Sequence, residues 1–270
     1  MLNKTLLPIA VAMAALFAPA ANATIVQFQV PGLGNFEVNL YDQSTPATVA
    51  NFLAYVNDNS YTNTVVHRGV NGFVVQGGGF TYQGTQTLGN VAQKPAVVNE
   101  PKFSNVRGTI AMAKLSGNAN SATNQWFINV GNNSASLDPQ NGGFTVFGQV
   151  TGNGMDVIDA INALPKFAFP SPFNELPLRD YTTQNFNSGV APTDRNFVIV
   201  SSIVVIDGAA NTAASLSPAP NTLITQTTTT PPATSSGGGG GGGAVGLGSL
   251  LSLGLLSLLR RRREGSRAAR

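Results

Sequence analysis

The sequence predicts a mainly β protein, an eight-stranded antiparallel closed β-barrel capped by two α-helices. Three observations lead there. Short alternating or β-branched runs recur about eight times between residues 24 and 208. Only two stretches in that span carry helical periodicity. The strands are not separated by regular helices, which argues against a parallel βαβ sheet and for an antiparallel barrel.

"TIVQFQVPGLGNFEVNLYD" (24–42) holds two runs around Pro31-Gly32-Leu33-Gly34. In the second, Phe36, Val38 and Leu40 alternate with Glu37, Asn39 and Tyr41, the pattern of a half-buried hairpin. A helix starts at Thr45-Pro46, where proline is tolerated in the first turn, and Asn57 to Asn59 end it. Val49, Phe52, Leu53 and Val56 share its apolar face. Thr64–His67 reads as a strand, Asn71-Gly72 as a turn and Phe73–Gln76 as a second strand ended by Gly77, Gly78 and Gly79. Further strands are expected over 107–114, 124–130 and 144–150. A helix is expected over 154–164, with Met155, Ile158 and Ile161 or Leu164 on one face. The last strand, 196–207, is rich in β-branched residues.

Four regions divide the chain. Residues 1–23 read as a signal peptide, with Lys4 as the positive head, an apolar run from Leu6 to Phe17 and a small-x-small end at Ala21-Asn22-Ala23. Residues 24–208 form the folded domain, long enough for a substantial core. Residues 209–243 are rich in Ser, Thr and Pro and end in glycines, the composition of a linker. Residues 244–270 join an apolar segment to an arginine-rich tail. With no cysteine, an exported chain has no disulfide frame and rests on its core. The net charge of +3 misleads, because six arginines lie from Arg260 onward. Between residues 24 and 259 there are eight basic and eleven acidic residues, which removes the compositional support for a nucleic-acid partner.

The chemistry is narrowed by what is missing. One histidine, His67, and no cysteine make a poor metal-ligand inventory. Gly77–Gly79 lack the ending of a phosphate loop and lead into no helix, so they read as backbone passing close to something. No serine stands in a nucleophile elbow. What remains is Arg68 followed by an apolar patch at Phe73, Val74 and Val75. Rotation about a prolyl peptide bond suits that equipment. Its barrier of roughly 18–20 kcal/mol arises from amide resonance. It needs a seat for the ring and a donor favouring the pyramidal nitrogen, but no base. His67 therefore reads as structural.

"VVHRGVNGFVVQGGGF", "RGTIAMAK…NSATNQWFINV" and "SLDPQNGGFTVFGQV", with "GMDVIDAI" after them, resemble in order the signatures of the cyclophilin family over about residues 25–208. The resemblance implies a peptidyl-prolyl cis-trans isomerase on an eight-stranded barrel with two helices, working without a cofactor on proline-containing polypeptides. It implies Arg68 as the catalytic residue and Phe73, Val74, Phe127 and Leu137 as the proline-pocket wall. Gln76 would bond the substrate backbone, Gln125 would lie in the groove and Phe144 at the rim. Ala113 and Lys114 would meet the peptide on the amino side of proline, largely through backbone.

The chain departs from the family pattern at Ser136, where an aromatic is usual, so cyclosporin binding is expected to be weak. Phe144, Trp126 and Gly79 are further departures, and 165–195 is a long insert. The C-terminal segment resembles a GlyGly-CTERM sorting signal of Gram-negative bacteria. That implies export to the periplasm or cell surface, cleavage by signal peptidase and a rhomboid-type protease, and a transient inner-membrane anchor; the alternative for the segment is a permanent C-terminal anchor. The alternative to an enzyme assisting the folding of exported proteins is a surface module that binds proline-containing segments without turnover.

Overall fold

The computed structural model describes residues 24–84, 87–208 and 212–224. Strands β1 (Ile25–Val30) and β2 (Gly34–Leu40) form the expected hairpin, with Phe28 opposite Phe36. The tight turn needs Gly32 and Gly34 at φ of 82° and 115°, which residues with a Cβ rarely adopt. Helix α1 (Pro46–Asn57) buries Val49, Phe52, Tyr55 and Val56, while Leu53 packs at the margin. Its free N-terminal amides are met from a distance: the Glu100 carboxylate accepts from Thr48 N at 2.9 Å and Thr48 Oγ1 at 2.8 Å.

Two predicted strands do not keep their expected bounds. The strand expected over Thr64–His67 shortens to β3 (Thr64–Val65), and β4 (Arg68–Gly69) follows beyond its predicted end. After β5 (Val74–Gly77), β6 (Phe80–Thr81) and β7 (Gly89–Asn90) come β8 (Thr109–Met112) and β9 (Trp126–Asn129). A short helix α2 (Ser134–Leu137) precedes β10 (Val146–Thr151) and helix α3 (Gly154–Ala163). The insert contributes β11 (Lys166–Phe167), β12 (Leu176–Pro177) and helix α4 (Thr183–Asn187). The final predicted strand splits at Ser201 into β13 (Ile199–Val200) and β14 (Ser202–Asp207). Both interruptions have one cause. The chain changes partner: β3 pairs with β13, whereas β4 pairs with β5 and β14 with β1. Hydrophobic period reports the inward face, not the identity of the neighbour.

Eight strands form one antiparallel curled sheet in the order β14-β1-β2-β10-β8-β9-β5-β4. This ladder is open. The predicted closure is not made within it, and its edges β14 and β4 remain separate. Their neighbours in the chain, β13 and β3, instead meet in a second sheet ordered β13-β3-β6-β7. Inside the curl, Phe52 packs against Tyr61 at 5.4 Å and Phe147 at 5.1 Å, and Phe28 against Trp126 at 5.2 Å. The two predicted helices cover this core, α3 through Ile158 and Ile161 with Met155 and Leu164 at the margin.

The insert has its own small core, where Phe167, Leu176, Leu178 and Tyr181 gather with Val65 and Phe197. Residues 212–224, which composition assigned to the linker, run back along the domain. Ser104 N donates to Ala219 O and Asn221 N to Lys102 O, both at 2.8 Å. Ala213 and Leu216 pack on the cluster containing Tyr41. Polar composition hid this strap because backbone bonds, which any sequence can make, do much of the holding. Among the described residues no helix is long and apolar enough to cross a membrane. The predicted signal peptide, the rest of the linker and the 244–270 segment lie outside the described residues.

Phe28 stacks on Phe36 at 4.5 Å and meets Trp126 edge-on, so Phe28→Ala opens a cavity at the centre of the core. It is expected to cost about 3–5 kcal/mol, read by urea unfolding from the fluorescence of the single, buried Trp126.

Candidate active site

Strand alternation makes two surfaces from the same three strands. On β5, β8 and β9 the residues Val75, Ile110, Met112, Trp126 and Ile128 point into the main core. Their neighbours Val74, Ala111, Ala113 and Phe127 form a second cluster on the other face with Leu137, Phe144 and Val146. A cavity enclosing ≈ 300 Å³, part of it open to solvent, lies in this second cluster. It is lined by Arg68, Phe73, Val74, Gln76, Phe127, Leu137, Gln140 and Phe144. All of these except Gln140 are expected from the sequence.

Phe127 and Phe144 meet edge-on at 5.8 Å and set the shape of the wall. Phe144 is fully buried rather than at a rim. Gln76 donates through Nε2 to Gln125 Oε1 at 2.9 Å, so Gln125 steers Gln76 and does not itself line the cavity. Ala113 is buried in the cluster, with its N–H bonded to Gln125 O at 2.9 Å. Lys114 turns inward. Its Nζ donates to the carbonyls of Asn141 and Gly143 and lies 4.8 Å from the Phe144 ring centre, with burial pulling its pKa down to about 8. Its side chain thus holds the turn beside the cavity.

The glycines after Gln76 now have a physical reason. A Cβ at Gly77 or Gly78 would stand 2.8 Å from the Trp126 ring, and one at Gly79 would stand 2.8 Å from the Gln125 side chain. Trp126 fills the space that the glycines leave. The absence of a side chain at position 79 goes with the position of Gln125.

Arg68 comes from the edge strand β4. Burial lowers its pKa and the neighbouring Glu175 opposes that shift, but a guanidinium stays charged in either case. His67 is buried edge-on against Phe80 at 4.9 Å, and burial above all lowers its pKa to about 4. It is neutral near pH 7. The cavity is left with a fixed cation and with no acid or base among its lining residues.

Sequence reading missed two sets of residues. Gln140 lines the cavity from the turn after α2, where no periodic signal exists. Behind the wall lies a buried network. Asn133 Nδ2 donates to Phe73 O at 2.8 Å and Asn129 Oδ1 at 2.7 Å, and Asn129 Nδ2 donates to Thr109 Oγ1 at 2.9 Å. Asn105 donates to Asp138 Oδ1 through its backbone at 2.8 Å and its side chain at 3.0 Å, and reaches Phe144 O at 3.2 Å. Asparagines so scattered along the chain carry no spacing that announces such a cluster.

A curled antiparallel sheet bearing an apolar cavity with one arginine at its wall suits a protein that seats an apolar ring beside a cation. Comparison with known proteins is specific. The model of the cyclophilin type peptidyl-prolyl cis-trans isomerases matches residues 25–183, and the chain belongs to that family. It is 40% identical over 145 residues to a peptidyl-prolyl cis-trans isomerase of Acinetobacter baylyi, covering 53% of this chain and 73% of that protein. It is 39% identical over 175 residues to the peptidyl-prolyl cis-trans isomerase A of Dickeya dadantii, covering 63% and 88%. The fold is shared with the crystal structure of a Cryptosporidium parvum cyclophilin type isomerase, with TM-score 0.50, 21% identity and coverage of 69% of this chain and 99% of that one.

Two outcomes are expected. The unfolded chain takes up a proton on His67 near 6.5 and the folded chain only near 4. Its contribution to stability is therefore complete above 6.5 and is lost as pH falls toward 4. The single imidazole should titrate near pH 4 by NMR, and His67→Phe should flatten that limb of the calorimetric Tm profile. Asn133→Ala leaves Asn129 Oδ1 buried without that donor and should cost about 1–3 kcal/mol in urea unfolding.

Proposed function

We propose that this peptidyl-prolyl cis-trans isomerase works by donation from Arg68 to the twisted prolyl amide. The observation that carries the reading is the pairing of one guanidinium with a cavity walled by Phe73, Val74, Phe127, Leu137 and Phe144. An apolar wall favours the ring of a substrate proline through burial. Twisting the C–N bond destroys the resonance behind its roughly 18–20 kcal/mol barrier and makes the nitrogen pyramidal, with a lone pair able to accept. A guanidinium beside that nitrogen stabilises the twisted state more than either planar one. With Nε2 engaged by Gln125, the Oε1 of Gln76 is left for the role of acceptor for a substrate backbone N–H. No proton moves, consistent with a neutral His67.

Its setting is export from a Gram-negative cell, where slow prolyl isomerisation limits the folding of secreted proteins. One contact supports cleavage after Ala23. Thr24 N donates to Asp42 Oδ2 at 2.8 Å and Thr24 Oγ1 to Asp42 Oδ1 at 2.9 Å. Cleavage there turns an amide into an ammonium facing a carboxylate, a charge-assisted bond. The tail is then a substrate for a rhomboid-type sorting protease. Intact mass of the exported protein checks both ends: Thr24 is expected first, and a C-terminal Arg270 contradicts processing. Cyclosporin should bind weakly, since Ser136 is small and exposed and its hydroxyl is engaged with Asn133 O.

The decisive measurement is a coupled assay on a cis-proline peptide. Arg68→Ala should lower kcat/KM by about 10²–10³-fold, the scale of removing one preorganised donor. An unaffected variant removes the arginine mechanism. Peptide binding without acceleration by the wild type would mark a binding module instead.

A further inference from the structure

We infer that Glu175, in the insert that follows α3, is the positioning residue for Arg68 and sets how fast the site turns over. The inference rests on the arginine mechanism proposed above and deepens it.

Arginine is a long, flexible side chain, and a donor that must meet a transient lone pair gains only if it is already aimed. Arg68 starts from a poor place for that. Strand β4 is two residues long and forms the edge of the eight-stranded sheet, paired on one side by β5. Its other side is taken by the insert. Gly69 N donates to Glu175 O at 2.9 Å, and a Cβ at Gly69 would meet Pro177 of β12 at 3.7 Å. The same Glu175 accepts from Arg68 Nε through Oε2 at 2.9 Å. One residue therefore fixes both the backbone that carries the arginine and the plane of its guanidinium.

The choice of nitrogen matters. Nε is the inner donor, so a clamp there leaves the outer nitrogens of the fork uncommitted to Glu175. Of these, Nη2 is buried and has no hydrogen-bond partner among the described residues. The Arg68 side chain is 12% exposed and lines the cavity, whereas that of Glu175 is 39% exposed and does not. The carboxylate thus stands outside the cavity lining and holds the cation from there.

The insert is packed well enough to serve as a brace. Phe173 meets Phe80 edge-on at 4.8 Å, and Phe80 meets His67, the residue before Arg68. Leu176 and Leu178, on either side of Pro177, are buried in the insert's own core.

A brace that acts through Arg68 affects the twisted state and not the seating of the ring. Glu175→Ala should lower kcat about tenfold with KM unchanged within about twofold, because the lost interaction is made only in the transition state. Glu175→Gln keeps an oxygen that can accept from Nε and should lose less, about threefold. The control is the Arg68→Ala background. There Glu175→Ala should have no further effect, since the two residues share one role. The Arg68 Nε–H resonance should be sharp in the wild-type protein and broadened in Glu175→Ala. Unchanged kcat in Glu175→Ala, or an additive loss on the Arg68→Ala background, overturns the inference. If Glu175→Ala does not fold, the same readings on Glu175→Gln decide it: a reduced kcat at constant KM supports the brace, and an unchanged kcat overturns it. A full-rate Arg68→Ala enzyme marks failure of the arginine mechanism itself, a different result from an active, arginine-dependent enzyme indifferent to Glu175.

Discussion

The cavity wall is assembled from four separate stretches of chain, and a buried set of amide hydrogen bonds holds them in register. Phe73 precedes β5, Phe127 sits on β9, Leu137 ends α2 and Phe144 precedes β10. Hydrophobic contact draws them together but is not directional. Asn133 fixes the carbonyl of Phe73, Asn105 that of Phe144, and Asp138, next to Leu137, accepts twice from Asn105. In a low-dielectric interior such bonds strengthen one another, and each one broken leaves a costly orphan. The network thus converts an apolar cluster into a cavity of defined shape.

The sheet supplies the second constraint. Because side chains alternate, β5, β8 and β9 present one set of residues to the core and the intervening set to the site. Stability and function are read from the same strands in alternate letters. A one-residue slip in register would put Trp126 and Ile128 into the cavity and Phe127 into the core. The close passage of Gly77 and Gly78 over Trp126 guards against that slip, since any side chain there would collide with the indole.

Much of this was legible in the sequence, for identifiable reasons. Alternation announced the first hairpin, and the spacing of Val49, Phe52 and Val56 announced α1. Arg68 and the aromatic wall stood out through motif order. What stayed hidden depends on which parts meet. The partner changes at Val66–His67 and Ser201 leave no mark on hydrophobic period. The side chain of Lys114 gives no sign in the sequence that its ammonium lies against the Phe144 ring. Glu175 lies 107 positions from Arg68 in a segment with no periodic signal. The Asn105–Asn129–Asn133 cluster is a set of ordinary loop and strand residues until the fold closes on them.

The strap over 212–224 has a mechanical consequence. Near its end it is tied down by Asn221, whose Nδ2 donates to Asp138 O at 3.1 Å and whose N–H donates to Lys102 O at 2.8 Å. The Asn221 side chain also gathers the end of the strap, since its Oδ1 accepts from Leu223 N at 3.0 Å and Ile224 N at 3.2 Å. Load applied at Ile224 would therefore pass to Asn221. From there the force passes to Asp138, one peptide from Leu137 in the cavity wall. The end of the strap is thus mechanically continuous with the wall of the working face.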